Sequence, residues 1–171
     1  MATSEEYGKK ERLKAVTAVY LILMQGMDEV LLMLRQNTGY QDGSWGLPAG
    51  HLEGDELPKV ALIREAKEEI GIDITEEDLE LVHTSFRPAH DLTGPRIDLY
   101  FLANRQSTEQ TPKNGEPEKC AELAWFPIGD LPVNTMPHEE HALACFDSGG
   151  AGEAYSELDL DWLKARDLYK L

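Results

Sequence analysis

Residues 13–25 read LKAVTAVYLILMQ, and residues 15–24 of it form the longest apolar run of the chain. It is too short to cross a bilayer, which takes about 20 apolar residues, and rich enough in β-branched side chains to be a strand. A polar turn, Gly26-Met27-Asp28-Glu29, separates it from a second apolar segment over residues 30–36, so the two predict a hairpin. Residues 38–44 are polar and Gly-containing and predict a loop. Residues 79–86 and 96–103 predict two more strands with a Pro/Gly loop between them, and residues 123–128 a short one. Residues 104–119 are polar, with two prolines and a glycine, and predict a surface loop. Helical spacing appears over residues 138–146, ended by Gly149-Gly150, and the amphipathic tail 155–171 predicts a last helix or strand. The whole is an alternation of strands and helices without internal repeat.

The most informative helix lies between Pro58 and Ile70. Pro58 suits a first helical turn, where its missing N–H costs nothing, with Asp55 or Glu56 near the cap. Gly71 suits a left-handed stop. At about 100° per residue, Leu62, Ile63, Ala66 and Ile70 share an arc that should face a sheet. Glu65, Glu68 and Glu69 take another arc, with the small Ala61 among them. Carboxylates at i, i+3 and i+4 repel, each pair costing an isolated helix about 0.2–0.5 kcal/mol. A cation between them removes that conflict. An all-oxygen donor set without His or Cys favours Mg²⁺, with Mn²⁺ as a substitute, over zinc. Arg64 stands where it can pair with a neighbouring carboxylate, and Gly50 and Gly54 permit unusual backbone angles beside the ion.

Length and charge limit what such a site serves. A chain of 171 residues fits a single domain, here 1–171, whose first 12 or so polar residues read as a flexible lead without a signal peptide's apolar stretch. Sixteen basic against 32 acidic residues leave a net charge of −16, which opposes binding to polymeric nucleic acid. A small anionic ligand is still admitted, because a bound metal inverts the local charge. Cys120 and Cys145 lack metal-binding or redox spacing and read as reduced thiols of a cytoplasmic protein.

Taken together, Gly50, Glu56 and the run Arg64-Glu65-Ala66-Lys67-Glu68-Glu69-Ile70-Gly71-Ile72 resemble the Nudix box, complete at every position. Residues 30–35 and the lead-in Trp45-Gly46-Leu47-Pro48-Ala49-Gly50 resemble the family's flanks, with Ala49 where many members have glycine. Trp125-Phe126-Pro127 resembles its closing strand and turn. The resemblance implies an α/β/α sandwich around a mixed β-sheet and Mg²⁺-dependent hydrolysis of a diphosphate linkage in a nucleotide. It implies that Glu65, Glu68, Glu69 and the Ala49 carbonyl hold metal, and that Gly50, Glu56, Arg64 and Gly71 are structural. One carboxylate must be general base. Glu68 and Glu65 are candidates within the box, and Glu118 leads outside it, ahead of Glu116 and Glu122.

For the substrate, Arg35, Arg87 and Arg96 are the candidate phosphate contacts, and Tyr20, Phe86 and Tyr100 the aromatic candidates for a base. The segment Asn114-Gly115-Glu116-Pro117-Glu118-Lys119-Cys120 resembles members acting on nucleoside triphosphates, oxidised purine nucleotides included. Pro88, sixteen residues past the box, resembles ADP-ribose-cleaving members, which keeps ADP-ribose, nucleoside diphosphate sugars and dinucleoside polyphosphates as alternatives. A non-catalytic nucleotide sensor on the same fold is the rival of another class, and a homodimer is one assembly left open.

Overall fold

The computed structural model describes residues 13–103, 110–148 and 154–168. The lead expected over the first 12 residues, the first part of the 104–119 loop and the Gly149-Gly150 break lie outside the described residues.

Eight strands make one mixed sheet: β1 (Val16–Gln25), β2 (Glu29–Arg35), β3 (Trp45–Gly46), β4 (Ala49–His51), β5 (Leu79–Arg87), β6 (Arg96–Ala103), β7 (Cys120–Pro127) and β8 (Tyr155–Glu157). The helices are α1 (Pro58–Ile70), α2 (Pro137–Asp147) and α3 (Leu160–Ala165), so the tail supplies both a strand and a helix. β1 is central. It runs parallel to β6, antiparallel to β4 along Ala18–Tyr20, and meets β2 only at the hairpin end, Met24↔Val30 and Gln25↔Glu29. Past that point β2 leaves β1 and pairs with β3 and β7 instead. The divergence of the hairpin arms opens a gap between β1 and β2.

Two cores cover the faces of β1, which explains its nearly continuous apolar run. Val19, Leu21 and Leu23 pack with Leu62, Ala66 and Ile70 of α1. Ala18, Tyr20 and Ile22 pack with Ala142 and Leu143 of α2 on the opposite side. The result is the α/β/α sandwich expected. Two details differ from expectation. Glu56 stands next to the N-cap of α1, as expected, but the N-cap itself is Leu57, which offers no side-chain cap. Ala61 is fully buried in the α1 core rather than lying open among the acids. Its line along the helix, Ala61–Glu65–Glu69, is the edge of the buried face, so two of the three glutamates are drawn inward.

Candidate active site

The gap between β1 and β2 is a cleft of about 660 Å³, and α1 brings the acids to it. Pro58 opens the helix and Gly71, at φ 68°, ends it with its N–H on the Ala66 carbonyl. Glu65 and Glu69 line the cleft. Glu68 points outward, 53 % exposed, and is tied to Arg64 at 3.3 Å. The same guanidinium holds Glu56 at 3.0 Å and Glu65 at 2.8 Å and donates to the His51 carbonyl. Glu56 in turn accepts the Glu53 N–H at 2.7 Å, closing the loop ahead of the helix. Arg64 and Glu56 thus brace this loop against α1.

Strand β4 passes on the other side of the acids. The Ala49 N–H donates to Glu69 Oε2 at 2.9 Å. Gly50 has no positive φ, contrary to the expectation of unusual angles there, whereas Gly54 does, at 56°. What Gly50 supplies is room: a Cβ there would overlap the Glu65 carboxylate.

A further acid of the cleft is Glu116, half-buried on the loop before β7 and paired with Lys119 at 2.7 Å. Glu118, the leading candidate outside the box, is exposed and outside the cleft lining, as is Glu122, and only the Glu118 carbonyl is engaged, by Asn37. The placement of Glu116 rather than Glu118 in the lining has a simple geometry. Gly115 donates its N–H to the Glu69 carbonyl, which fixes the loop on the end of α1 and aims the next residue inward.

Burial sets the charge state of these acids. It pushes Glu69 up to about 8, aided by Glu65 and Glu116 and opposed by the Ala49 N–H. Glu65 is also raised by burial, against the pull of Arg64. Among the described residues no three His, Cys, Asp or Glu side chains are gathered at metal-ligating spacing. Arg64 occupies Glu65 and Glu68, and Lys119 occupies Glu116. The donor chemistry nonetheless fits a hard divalent cation: crowded, half-desolvated carboxylates with oxygen donors alone.

All three expected phosphate contacts line the cleft, Arg35 and Arg96 with partial commitments. Arg35 donates to the Tyr40 carbonyl and Thr38 Oγ1. Arg96 reaches Asp91, Thr93 and the Nε2 of a neutral His51, while its buried Nε is unpartnered. Arg87 departs from expectation. It is buried and bidentate on Asp98, at 2.6 and 2.9 Å, so its charge is already neutralised in the wall. Tyr20 lines the cleft with Tyr100 stacked on it at 4.6 Å between ring centroids, and Phe86 does not line it.

Sequence reasoning missed Lys119, Tyr40, His138 and Glu139, all in the lining. Helical spacing over residues 138–146 marks neither side chain as buried, yet His138 and Glu139 are 1 % and 3 % exposed.

The NUDIX domain matches residues 14–145. Among characterised proteins, the chain is 38% identical over 89 residues to an 8-oxo-dGTP diphosphatase of Proteus vulgaris, covering 52% of this chain and 75% of that one. It is 32% identical over 133 residues to an ADP-ribose pyrophosphatase of Methanocaldococcus jannaschii, covering 77% and 75%. The crystal structure of a MutT NUDIX hydrolase from Burkholderia pseudomallei superposes with a TM-score of 0.67 at 23% identity, over 77% of this chain and 98% of that one.

Proposed function

This chain belongs to the NUDIX domain family and is a hydrolase of phosphorus-containing anhydrides; from that premise we propose that it cleaves a (deoxy)nucleoside triphosphate to a monophosphate and pyrophosphate. The observation that carries the reading is the meeting of Glu65, Glu69 and Glu116 with Arg35 and Lys119 in one cleft. Carboxylates alone would repel a polyphosphate. Carboxylates with a divalent cation, flanked by two basic side chains, would hold one.

Glu65, Glu68, Glu69 and the Ala49 carbonyl would hold Mg²⁺ or Mn²⁺. Bound there, the metal supplies Lewis-acid polarisation of a phosphoryl oxygen and lowers the pKa of bound water. The chain's own groups do the rest. Ala49 N–H fixes the rotamer of Glu69, and Arg64 holds both Glu65 and Glu68, so Glu68 would reach a cation only once released from that pair. Glu116, brought to the cleft by the loop docked on the end of α1, is our choice for the acceptor of the proton from the attacking water. Lys119 and Arg35, both in the cleft lining, would offset negative charge on the leaving phosphate. The two free cysteines suit a reducing, cytoplasmic setting.

Oxidised purine nucleotides are supported by the likeness to the 8-oxo-dGTP diphosphatase. The longer match to the ADP-ribose pyrophosphatase favours a second reading, in which the anhydride joins two ribose phosphates. The test is a panel of canonical and 8-oxo nucleoside triphosphates, ADP-ribose and dinucleoside polyphosphates in Mg²⁺, with products identified by ³¹P NMR. At least one triphosphate should yield monophosphate and pyrophosphate, and Glu69→Gln and Glu68→Gln should each lower kcat by about 10²-fold or more. Cleavage of ADP-ribose with no triphosphate turnover gives the site to the second reading.

A further inference from the structure

The β4 end of the cleft carries a histidine that the chemistry above does not use. His51 is the last residue of β4, and the register sets it opposite Ala18 of β1. On the other side of β1, the register with β6 sets Arg96 opposite Val16. Residues opposite one another on paired strands share a face, so the ring and the guanidinium meet across β1 beside the small Ala18. Arg96 Nη1 stands 3.1 Å from His51 Nε2, and all three residues line the cleft.

This contact fixes the proton of the ring. A guanidinium has five N–H donors and no acceptor. Nε2 must therefore be the bare nitrogen, so the ring is neutral and its proton sits on Nδ1. Arg96 is committed to this pose. Its Nη2 donates to Asp91 Oδ2 at 3.3 Å and to Thr93 Oγ1 at 2.9 Å, and only 13 % of its side chain is exposed. Asp91 is set in turn by the N–H and hydroxyl of Thr93 on its other oxygen. The His51 carbonyl accepts from Arg64, which holds the backbone as well. His51 itself is exposed, and among the described residues no group accepts from its Nδ1.

The direction of these bonds identifies the ligand class. Arg96 donates into the ring and the ring donates onward, so the free end is an N–H polarised by the guanidinium behind it. Such a donor takes an acceptor, and an anionic one makes the stronger bond. It does not ligate a cation, because the nitrogen carries its proton. Phosphates are the anionic acceptors that the proposed reaction brings into this cleft. His51 and Ala49, whose N–H holds Glu69, are two residues apart on one strand and so within about 7 Å along the chain.

We propose that His51 is a phosphate-binding residue of this cleft, and that Arg96 is the positioning residue that holds its ring in the Nδ1–H form. Arg96 thus serves the phosphates through His51 and not by direct contact. The inference rests on the nucleotide reading above, but it does not depend on which anhydride is cut.

The test reads binding and tautomer, with no turnover required. Full-length wild type, His51→Leu, His51→Asn and Arg96→Leu are titrated calorimetrically with inorganic pyrophosphate in Mg²⁺, and long-range ¹H–¹⁵N spectra report the His51 ring. Asparagine can place an N–H where Nδ1 stands, and leucine cannot. Wild type should show a protonated Nδ1 and a bare Nε2, with the Nδ1 resonance moving as pyrophosphate is added. His51→Leu should bind about tenfold more weakly, and His51→Asn within about threefold of wild type. Arg96→Leu should bind as His51→Leu does, while its His51 ring populates both tautomers. A ring protonated at Nε2, wild-type affinity in His51→Leu or Arg96→Leu, or equal loss in the two His51 variants overturns the proposal. So does a wild type that binds no pyrophosphate. A failed hydrolysis panel with this binding pattern intact would instead overturn the catalytic reading and leave this one standing. If Arg96→Leu does not fold, the two His51 variants carry the comparison.

Discussion

Gly50 of β4 and Glu65 of α1 occupy one another's space. A Cβ on Gly50 would overlap Oε1, Cδ and Cγ of Glu65. The atoms in conflict belong to a side chain that can rotate away, so Gly50→Ala should relax by expelling Glu65 from the cleft. Overpacking of this kind costs about 1–3 kcal/mol, and here the lower end applies because Glu65 has a rim to move to. The expected outcome is a Tm drop of only a few degrees with a fall in kcat of about 10²-fold. Thermal melts beside steady-state rates check it. Wild-type turnover in Gly50→Ala would show that Glu65 has no part in the reaction.

Gly115 poses the opposite case. Its Cβ would overlap the backbone carbonyl oxygen of Glu68, which cannot rotate away, and its N–H is bonded to the Glu69 carbonyl at 2.9 Å. Gly115→Ala must lift the loop off the helix end, taking Glu116 and Lys119 with it. Stability and activity should therefore fall together, with Tm down by more than in Gly50→Ala. Hydrogen exchange localised to residues 110–120 should accelerate. Unchanged exchange there would disprove the anchoring role.

Arg64 joins three carboxylates and a carbonyl through one planar group, with two-thirds or more of its side chain covered. A lysine ammonium cannot span Glu56 and Glu65 in the same way. Arg64→Lys should lower kcat by about tenfold and weaken the Mg²⁺ dependence, since Glu65 and the 51–56 loop lose their common partner. Magnesium titrations of the rate make the measurement, and an unshifted half-saturation would count against the bracing role.

How much of this was legible beforehand depends on how local each feature is. Residues 58–71 carry their own start, stop and periodicity, so helix α1 and its acids could be read directly. The sheet's two-face burial also shows in β1, because both faces demand apolar side chains. Ala61 misled because an alanine on the edge of a buried stripe looks the same as one on an open face. Glu118 misled because a polar loop has no periodicity, and the hydrogen bond from Gly115 to α1 that aims Glu116 is a tertiary fact. Arg87 and Asp98 are eleven residues apart on neighbouring strands, and their pairing needs the β5–β6 register, which places Arg87 opposite Arg96 and Ser85 opposite Asp98. Glu139 and His138 went unread because burial of an acid and an imidazole is written by neither hydropathy nor spacing.

The Arg87–Asp98 pair should matter to stability more than to chemistry. Both side chains are essentially fully buried, and removing one partner strands the other. Breaking such a pair costs about 3–5 kcal/mol. Asp98→Asn should lower Tm by roughly 10 °C, taking about 2–4 °C per kcal/mol for a chain of this size. Replacing both together, as Arg87→Met with Asp98→Leu, should recover a large part of the loss. A single variant as stable as wild type would mean that the charge is not confined as the structure has it.

Above about pH 6.5 the apo protein should become less stable as pH rises, the reverse of ordinary carboxylate behaviour. Burial pushes Glu69 and Glu139 each up to about 8, far above the carboxyls of an unfolded chain. Between about pH 4.5 and 8 these two groups bind more protons folded than unfolded, and by linkage their contribution falls with pH across that window. It is complete below the unfolded value and gone above the folded one. Below about pH 6.5 the lowered imidazoles of His51, His90 and His138 act in the opposite sense, since burial keeps them neutral in the fold. In chelator, Tm should therefore decline from about pH 6.5 towards pH 8.5. Glu69→Gln removes one titrating group and should flatten the slope. Saturating Mg²⁺ should flatten it in wild type, because a cation beside Glu69 favours the ionised form, and should have little effect in Glu69→Gln. A chelator-treated wild type whose Tm rises over this range would mean that Glu69 is solvated and ionised, with no cleft around it.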